Sequence, residues 1–336
     1  MLQSKSHRDQ LKSGLSIFLV ITGILLLALA SPVFAQTATT EDSVAVEGEQ
    51  GVFLFKGKVS LGFLNGESHE LVYDPDTSWK MSELIWDLDS VYMLGGELSI
   101  RPLTWLGFNL EGWVNISEGD GSMDDYDWIV YGLEDWTHWS HHDKTEVKTA
   151  TLFDISAEFF ALNREQFSLS ILAGYKRNNF KWEAYGGDFI YSTNTLRDTV
   201  FSVPDDNLGI TYEQWWNVPY IGVGFATNVG PVEIDGRIIG STLVDAEDED
   251  HHHNRDLLFK EEFEDGNFIG LKFGATYNIT QNMGVGLDLD YQNFDEVKGD
   301  TTIRNTVTGE VFEVPGDSAG ADNELLMISL GFQYRF

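Results

Sequence analysis

The segment Leu326–Phe336 constrains this chain more than any other. Ile328, Leu330, Phe332, Tyr334 and Phe336 alternate with Ser329, Gly331, Gln333 and Arg335, and the sequence stops on the last aromatic. A period of two gives a strand with one apolar and one polar face. With aromatics on the apolar face and small or polar residues on the other, it reads as one strand of a membrane barrel, apolar side to lipid and polar side to the lumen.

Residues 1–35 read as a signal peptide. Lys5, Arg8 and Lys12 precede an apolar run from Leu15 to Ala30, and Ser31-Pro32-Val33-Phe34-Ala35 supplies small residues before Gln36. The competing reading is a retained membrane anchor, because the run is near the length of a spanning helix. Residues 36–50 read as a flexible lead-in, and 51–336 as one barrel. Cleavage would remove three basic residues and one acid, Asp9, so the whole-chain charge of −33 becomes −35. Such acidity excludes nucleic acid as a partner and favours cationic peptides. The chain has no Cys, so disulfides and thiol catalysis are unavailable. Beyond residue 35 no apolar run could make a transmembrane helix. A closed barrel is then the one way to span lipid without unpaired backbone groups.

Strand patterns recur along the chain. Leu106, Phe108 and Leu110 alternate with Gly107, Asn109 and Glu111. Phe153, Ile155 and Phe159 alternate with Asp154, Ser156 and Glu158, and Val285, Leu287 and Leu289 with Gly286, Asp288 and Asp290. The acidic face, including Glu233 and Asp235, is expected to line the lumen. Short connections are expected at Arg101–Thr104, Leu162–Gln166, Asn228–Pro231 and Asn278–Asn282. Long ones are expected near Asn65–Lys80, Gly119–Lys148, Thr193–Gly209, Asp245–Arg255 and Asp295–Asn323. Their alternation predicts a ten-stranded antiparallel barrel, short turns periplasmic and long loops extracellular. From Pro102 to Asp125 the chain could climb roughly 55–60 Å, at about 3.3 Å per residue and a tilt near 40°. The lipid-facing band is about 25 Å tall, so the barrel should rise well above the membrane. A soluble all-β barrel or sandwich is the alternative, but it must re-bury the apolar rows.

Two acidic clusters fall at the expected rim. In Met123-Asp124-Asp125-Tyr126-Asp127 the parity set by Leu106, Phe108 and Leu110 turns Asp125 and Asp127 inward together. Two enclosed carboxylates repel, so one should hold a proton or a water. In the run Asp245 to His253, one bulge at Gly240 would turn Asp248, Asp250 and His252 inward. An Asp two residues before a His can orient the imidazole, which can then take a proton from a water. No Gly-x-Ser-x-Gly elbow is present, which favours direct water attack. The plain alternative is that these acid runs are solvated surface. No metal site is expected from the three consecutive histidines, because successive strand residues diverge.

At these residues the chain resembles the omptins, a family of outer-membrane endopeptidases with ten-stranded barrels. The likeness includes Val59-Ser60-Leu61-Gly62 with Gly66 and Glu70, Gly174-Tyr175, Gly186-Gly187, Pro219-Tyr220-Ile221-Gly222 and both acidic clusters. The resemblance implies catalysis by an aspartate pair, Asp125 and Asp127, facing a dyad of Asp250 and His252. A water held between them would attack the scissile carbonyl. It also implies cleavage next to basic residues, preferably between two, with Glu70 and Asp248 selecting the basic side chain. Met123 would be an apolar wall of that pocket, and His142 a residue near the cleft; Ser140 is expected to be a solvated loop serine. Family members use lipopolysaccharide bound partly through arginines; the two matching positions here are Asn179 and Trp215, with Lys176, Arg177 and Lys181 nearby. No cofactor is expected, and the protein is expected to be a monomer of the Gram-negative outer membrane. The strand pattern alone also fits a porin-like channel or a catalytically silent surface adhesin or receptor.

Overall fold

Alternating side-chain polarity and many β-branched and aromatic residues favour extended chain, and the computed structural model, which describes residues 54–336, is built almost wholly of strands. The expected signal peptide and lead-in lie outside the described residues. The strands are β1 (Leu54–Tyr73), β2 (Lys80–Leu103), β3 (Leu106–Asn115), β4 (Gly119–Asp127), β5 (His138–Asn163), β6 (Phe167–Tyr191), β7 (Thr199–Val229), β8 (Val232–His252), β9 (Leu257–Asn278), β10 (Met283–Asn305) and β11 (Val311–Arg335). Neighbours pair antiparallel, and β1 pairs with β2 on one side and β11 on the other, so the ladder returns to its start. β3 and β4 both lie between β2 and β5 and are interrupted only at 116–118. Eleven segments therefore occupy the ten positions expected.

Each expected connection is present, but the long ones are far shorter than the sequence suggested. They occupy 74–79, 128–137, 192–198, 253–256 and 306–310 at one end, the loop end; short turns and the ends of β1 and β11 occupy the other, the turn end. The strands continue through the acidic runs instead of stopping at them. Above an apolar band both faces of a strand are wet, so the alternation that marks a strand disappears while its backbone pairing persists.

The band is visible in the outward side chains. Leu61, Leu110, Ile155, Ile171, Val223, Ile238, Leu287 and Leu330 are all exposed, while the inward neighbours Glu111, Asp154, Asp288 and Ser329 are buried. Near the turn end Phe55 packs edge-on against Phe336 at 5.0 Å, and Trp105 stacks on Phe159 at 6.4 Å, in keeping with an interfacial aromatic belt. β7 has 31 residues. At about 3.3 Å rise and 40° tilt it covers roughly 75–80 Å, about three times the band.

Above the band several strands change parity at bulges. Ser90 on β2 takes a positive φ of 59°, Thr242 and Leu243 on β8 are exposed in succession, and so are Glu264 and Asp265 on β9. Each extra residue exchanges the inner and outer faces of all residues beyond it. The expected bulge on β8 thus exists, but at Thr242–Leu243; Gly240 itself keeps its partners Ile221 and Ile269.

The interior has three layers. At band level, buried charges pair: Lys272 with Glu111 (2.7 Å) and Glu97 (2.9 Å), Arg237 with Glu111 (2.9 Å), Lys176 with Asp154 (3.2 Å), and Lys58 with Asp288. Above them lies an aromatic layer in which Trp86, Trp182 and Tyr212 stack at 5.1–6.0 Å beside buried Trp216, Phe263 and Phe294. Over that floor a cavity of about 540 Å³ opens at the loop end.

Candidate active site

Parity and pairing decide which side chains enter the cavity. Met123 is buried, so Asp125 and Asp127, two and four residues on, share its side of β4, while Asp124 points outward to bond Trp139 and His141. On β8, with the bulge behind them, Val244, Ala246, Asp248 and Asp250 are buried, and Asp250 and His252 both line the cavity. β4 and β8 are separated around the barrel by β5, β6 and β7 on one side and by β2, β1, β11, β10 and β9 on the other. The acid pair and the histidine therefore reach the same cavity from distant parts of its wall.

His252 Nε2 lies 2.5 Å from Asp250 Oδ2. Burial disfavours the imidazolium, but the charge and hydrogen bond of Asp250 outweigh it and raise the His252 pKa. The other ring nitrogen, Nδ1, has Arg255 Nη1 3.4 Å away. Across the cavity Ser82 Oγ donates to Asp125 Oδ1 at 3.1 Å. Burial and the neighbouring Asp127 push the Asp125 pKa up to about 8, and burial raises Asp127 as well. The imidazole and both carboxyls interact through their charges. The set can hold one proton between two carboxyls opposite a base oriented by a third, which suits it to position and deprotonate a water.

The cavity floor is acidic. Glu70 on β1 is buried and takes a hydrogen bond from Trp86 Nε1 (3.4 Å). Asp248 is buried one inward step below Asp250, and Tyr212 donates to its Oδ2 at 2.9 Å. Opposite it on β9 stands Glu261, buried, whose Oε1 accepts from Thr301 Oγ1 at 2.9 Å. Burial, then repulsion by neighbouring acids, Asp250 foremost for Glu70 and Glu261 for Asp248, lifts Glu70 and Asp248 well above the carboxyl range, and burial lifts Glu261 to about 7.

His142 and Ser140 stand on β5, Ser140 directly opposite Asp125. Ser140 Oγ is 3.2 Å from His142 Nε2, and burial lowers the His142 pKa. Gly187 has φ +122° and a side chain there would lie 2.9 Å from His142 Nδ1, so only glycine lets the imidazole fit.

The whole described barrel matches the Omptin family model, over residues 54–336. This chain belongs to the omptin family. It is 34% identical to the plasminogen activator of Yersinia pestis, over 84% of this chain and 89% of that protein. It is 28% identical to the outer membrane protease OmpP of Escherichia coli strain K12, over 94% and 99%. Its fold superposes on the crystal structure of the outer membrane protease OmpT from Escherichia coli with a TM-score of 0.82 at 26% identity, covering 86% of this chain and 99% of that one. As an omptin it is a protease of the outer membrane of a Gram-negative bacterium.

Of the residues singled out in this omptin's sequence, Asp125, Asp127, Asp250, His252, Glu70 and His142 line one cavity. Asp248 faces the floor from just beneath it. Met123 lies in the layer under the cavity, opposite Trp86 and His142, and not in its wall. Ser140 is buried on a strand, not solvated on a loop, because β5 begins at His138. Lys176 does not face lipid; it is buried beside Asp154 in the lumen. On the outer face Asn179 stands opposite Trp215 and donates to Glu213 (3.1 Å), while Arg177 donates to Asn217 (3.0 Å). Among the described residues no cluster of three or more His, Asp or Glu has metal-holding geometry. Ser82, Glu261 and Thr301 escaped the sequence reading. For Glu261 the reason is definite: parity from Ile269 turns odd residues of β9 outward, and the bulge at Glu264–Asp265 reverses it.

Proposed function

We propose that this omptin hydrolyses polypeptides beside basic residues at its loop-end cavity, which faces the extracellular side, with dibasic sites the favoured class. His252, oriented by Asp250, acts as the general base on a water held against Asp125 and Asp127. The water attacks the scissile carbonyl, and the proton taken by His252 passes to the leaving amine. Asp125, with its raised pKa, holds the proton shared by the pair and donates a hydrogen bond to the carbonyl oxygen as charge develops. Glu70 and Asp248 bind a basic side chain, His142 supports the cavity wall between them and β6, and Met123 backs the floor. A second basic residue is drawn in by the net charge of −33.

One observation carries this reading: an imidazole 2.5 Å from a buried carboxylate shares a cavity with the carboxyls of Asp125 and Asp127. Adhesion requires none of these. A channel is disfavoured by the stacked Trp86, Trp182 and Tyr212 across the interior and the ion pairs beneath them. The short turns mark the periplasmic end and the cavity the outer one. Arg177, and Lys181 with its partner Glu213 at 3.1 Å, lie beside Asn179 and Trp215 on the exterior, and lipopolysaccharide is the lipid proposed to meet this face. A ladder with no free edge favours a monomer.

Digestion of a peptide library by the refolded protein, with and without lipopolysaccharide, tests the proposal. Cleavage concentrated beside Arg and Lys is expected. Absence of cleavage under both conditions, or cleavage indifferent to charge, would sink it.

A further inference from the structure

Asp248 and Glu261 stand directly opposite one another on β8 and β9, 2% and 4% exposed. Each has one oxygen engaged by a fixed hydroxyl, Tyr212 on Asp248 and Thr301 on Glu261. The remaining oxygens, Asp248 Oδ1 and Glu261 Oε2, are buried with no hydrogen-bond donor. The charged groups acting on the pair are themselves acids. Glu70 approaches from β1 and Asp250 from β8, while β2 contributes the Trp86 indole, β7 the Tyr212 hydroxyl, β10 Thr301 and β11 Ser318, whose Oγ donates to Thr301 at 3.1 Å. Beyond Asp250 lies the His252 ring.

Two carboxyls that face each other without a donor cannot both be ionised at acceptable cost; a shared proton satisfies both orphan oxygens. A cation does the same. An entering guanidinium or ammonium brings donors and positive charge to the same oxygens, and a charge-assisted contact there requires the carboxyls ionised.

We propose that Glu261 is a third specificity-determining acid of this omptin, and that the Asp248–Glu261 pair holds a proton which an incoming basic side chain displaces. Recognition of Arg or Lys is therefore coupled to proton release. This rests on the cleavage reading for its biological use, but not for its test. The pocket rejects basic side chains as the medium acidifies, through binding and separately from the His252 base, which governs turnover. Glu261→Gln keeps an oxygen for Thr301 and places an amide N–H where the proton stood, so Asp248 stays ionised and the pair itself has no proton to release.

The test is calorimetric binding of N-acetyl-arginine amide to the refolded full-length protein at about pH 7, in buffers of differing ionisation enthalpy, which counts protons exchanged. The wild type is expected to release up to about one proton per ligand, declining toward zero at high pH where the pair is already ionised. Glu261→Gln and Asp248→Asn, checked for native heat-resistant migration, should each release clearly fewer protons per bound ligand than the wild type, any remainder coming from Glu70. Binding by the wild type without proton release, equal release by Glu261→Gln, or no binding by the wild type would each overturn the proposal. Proton-linked binding without peptide cleavage would leave it standing and remove the cleavage reading alone.

Discussion

At the level of the apolar band, Glu97, Glu111, Asp154 and Asp288 each meet a lysine or arginine, whereas above the aromatic layer Glu70, Asp248 and Glu261 meet neutral donors (Trp86, Tyr212 and Thr301) and further acids. Both sets are buried acids inside the same barrel. In the lower set each charge is neutralised within the protein, and removing one partner strands the other in a poorly solvated place. In the upper set no counter-charge is built in. The fold tolerates the deficit by holding protons, so the site is preset for a cation supplied from outside. Among these acids a lysine or arginine partner goes with the scaffold, and its absence goes with the cavity.

The largest effect expected is on chemistry. His252→Ala or Asp250→Asn should lower kcat by about 10²–10⁴-fold, the range for loss of a general base or its orienting partner, with the barrel still migrating as a heat-resistant species. Turnover equal to wild type in both would remove the upper region from catalysis. In the wild type, kcat should fall about tenfold per pH unit below the raised pKa of His252, because the protonated ring cannot act as base. In Asp250→Asn the residual activity should fall only at a lower pH than in the wild type, since Asp250 is what raises that pKa.

Next comes the paired region. Asp154→Ala leaves Lys176 and Arg237 without their shared carboxylate, and should cost about 3–5 kcal/mol of stability, read as a lowered unfolding midpoint. Activity per folded molecule should be unchanged. A variant that kept full stability and lost turnover would invert the comparison. Planar-bilayer recording is a companion measurement: the filled interior should pass no sustained current, and steady conductance would revive the channel reading.

Glu70→Gln is expected to reduce kcat/KM for Arg or Lys peptides by about 10–100-fold, in keeping with a hydrogen bond to a charged group, and to leave neutral peptides nearly unaffected. Similar losses on both would separate Glu70 from selectivity. The smallest effect is on stability against pH. The carboxyls of Glu70, Asp248 and Glu261 have folded pKa values above their unfolded ones, so between these limits the native state binds more protons. The contribution of these three carboxyls to stability should therefore be greatest at low pH and decline from the ordinary carboxyl range upward, through about 7 for Glu261. Glu261→Gln should flatten that decline; an identical slope in wild type and variant would show the pair to be indifferent to folding.

The alternation in Leu326–Phe336, and in the rows around Leu110, Ile155 and Leu287, determined that this chain makes two-faced strands, and the aromatic-rich last strand together with the signal-like N-terminal segment pointed the apolar face to lipid. The order of short and long connections fixed ten positions, and the spacing of Asp125 with Asp127 and of Asp250 with His252 was enough to put each pair on one face. Glu261, Ser82 and Thr301 depended on the tertiary structure. A bulge such as Glu264–Asp265 leaves no trace in hydropathy once both faces are wet, yet it decides which face every later residue joins. Whether a buried acid meets a lysine from a distant strand or only another acid is likewise set by closure of the barrel, since the partners lie far apart along the chain.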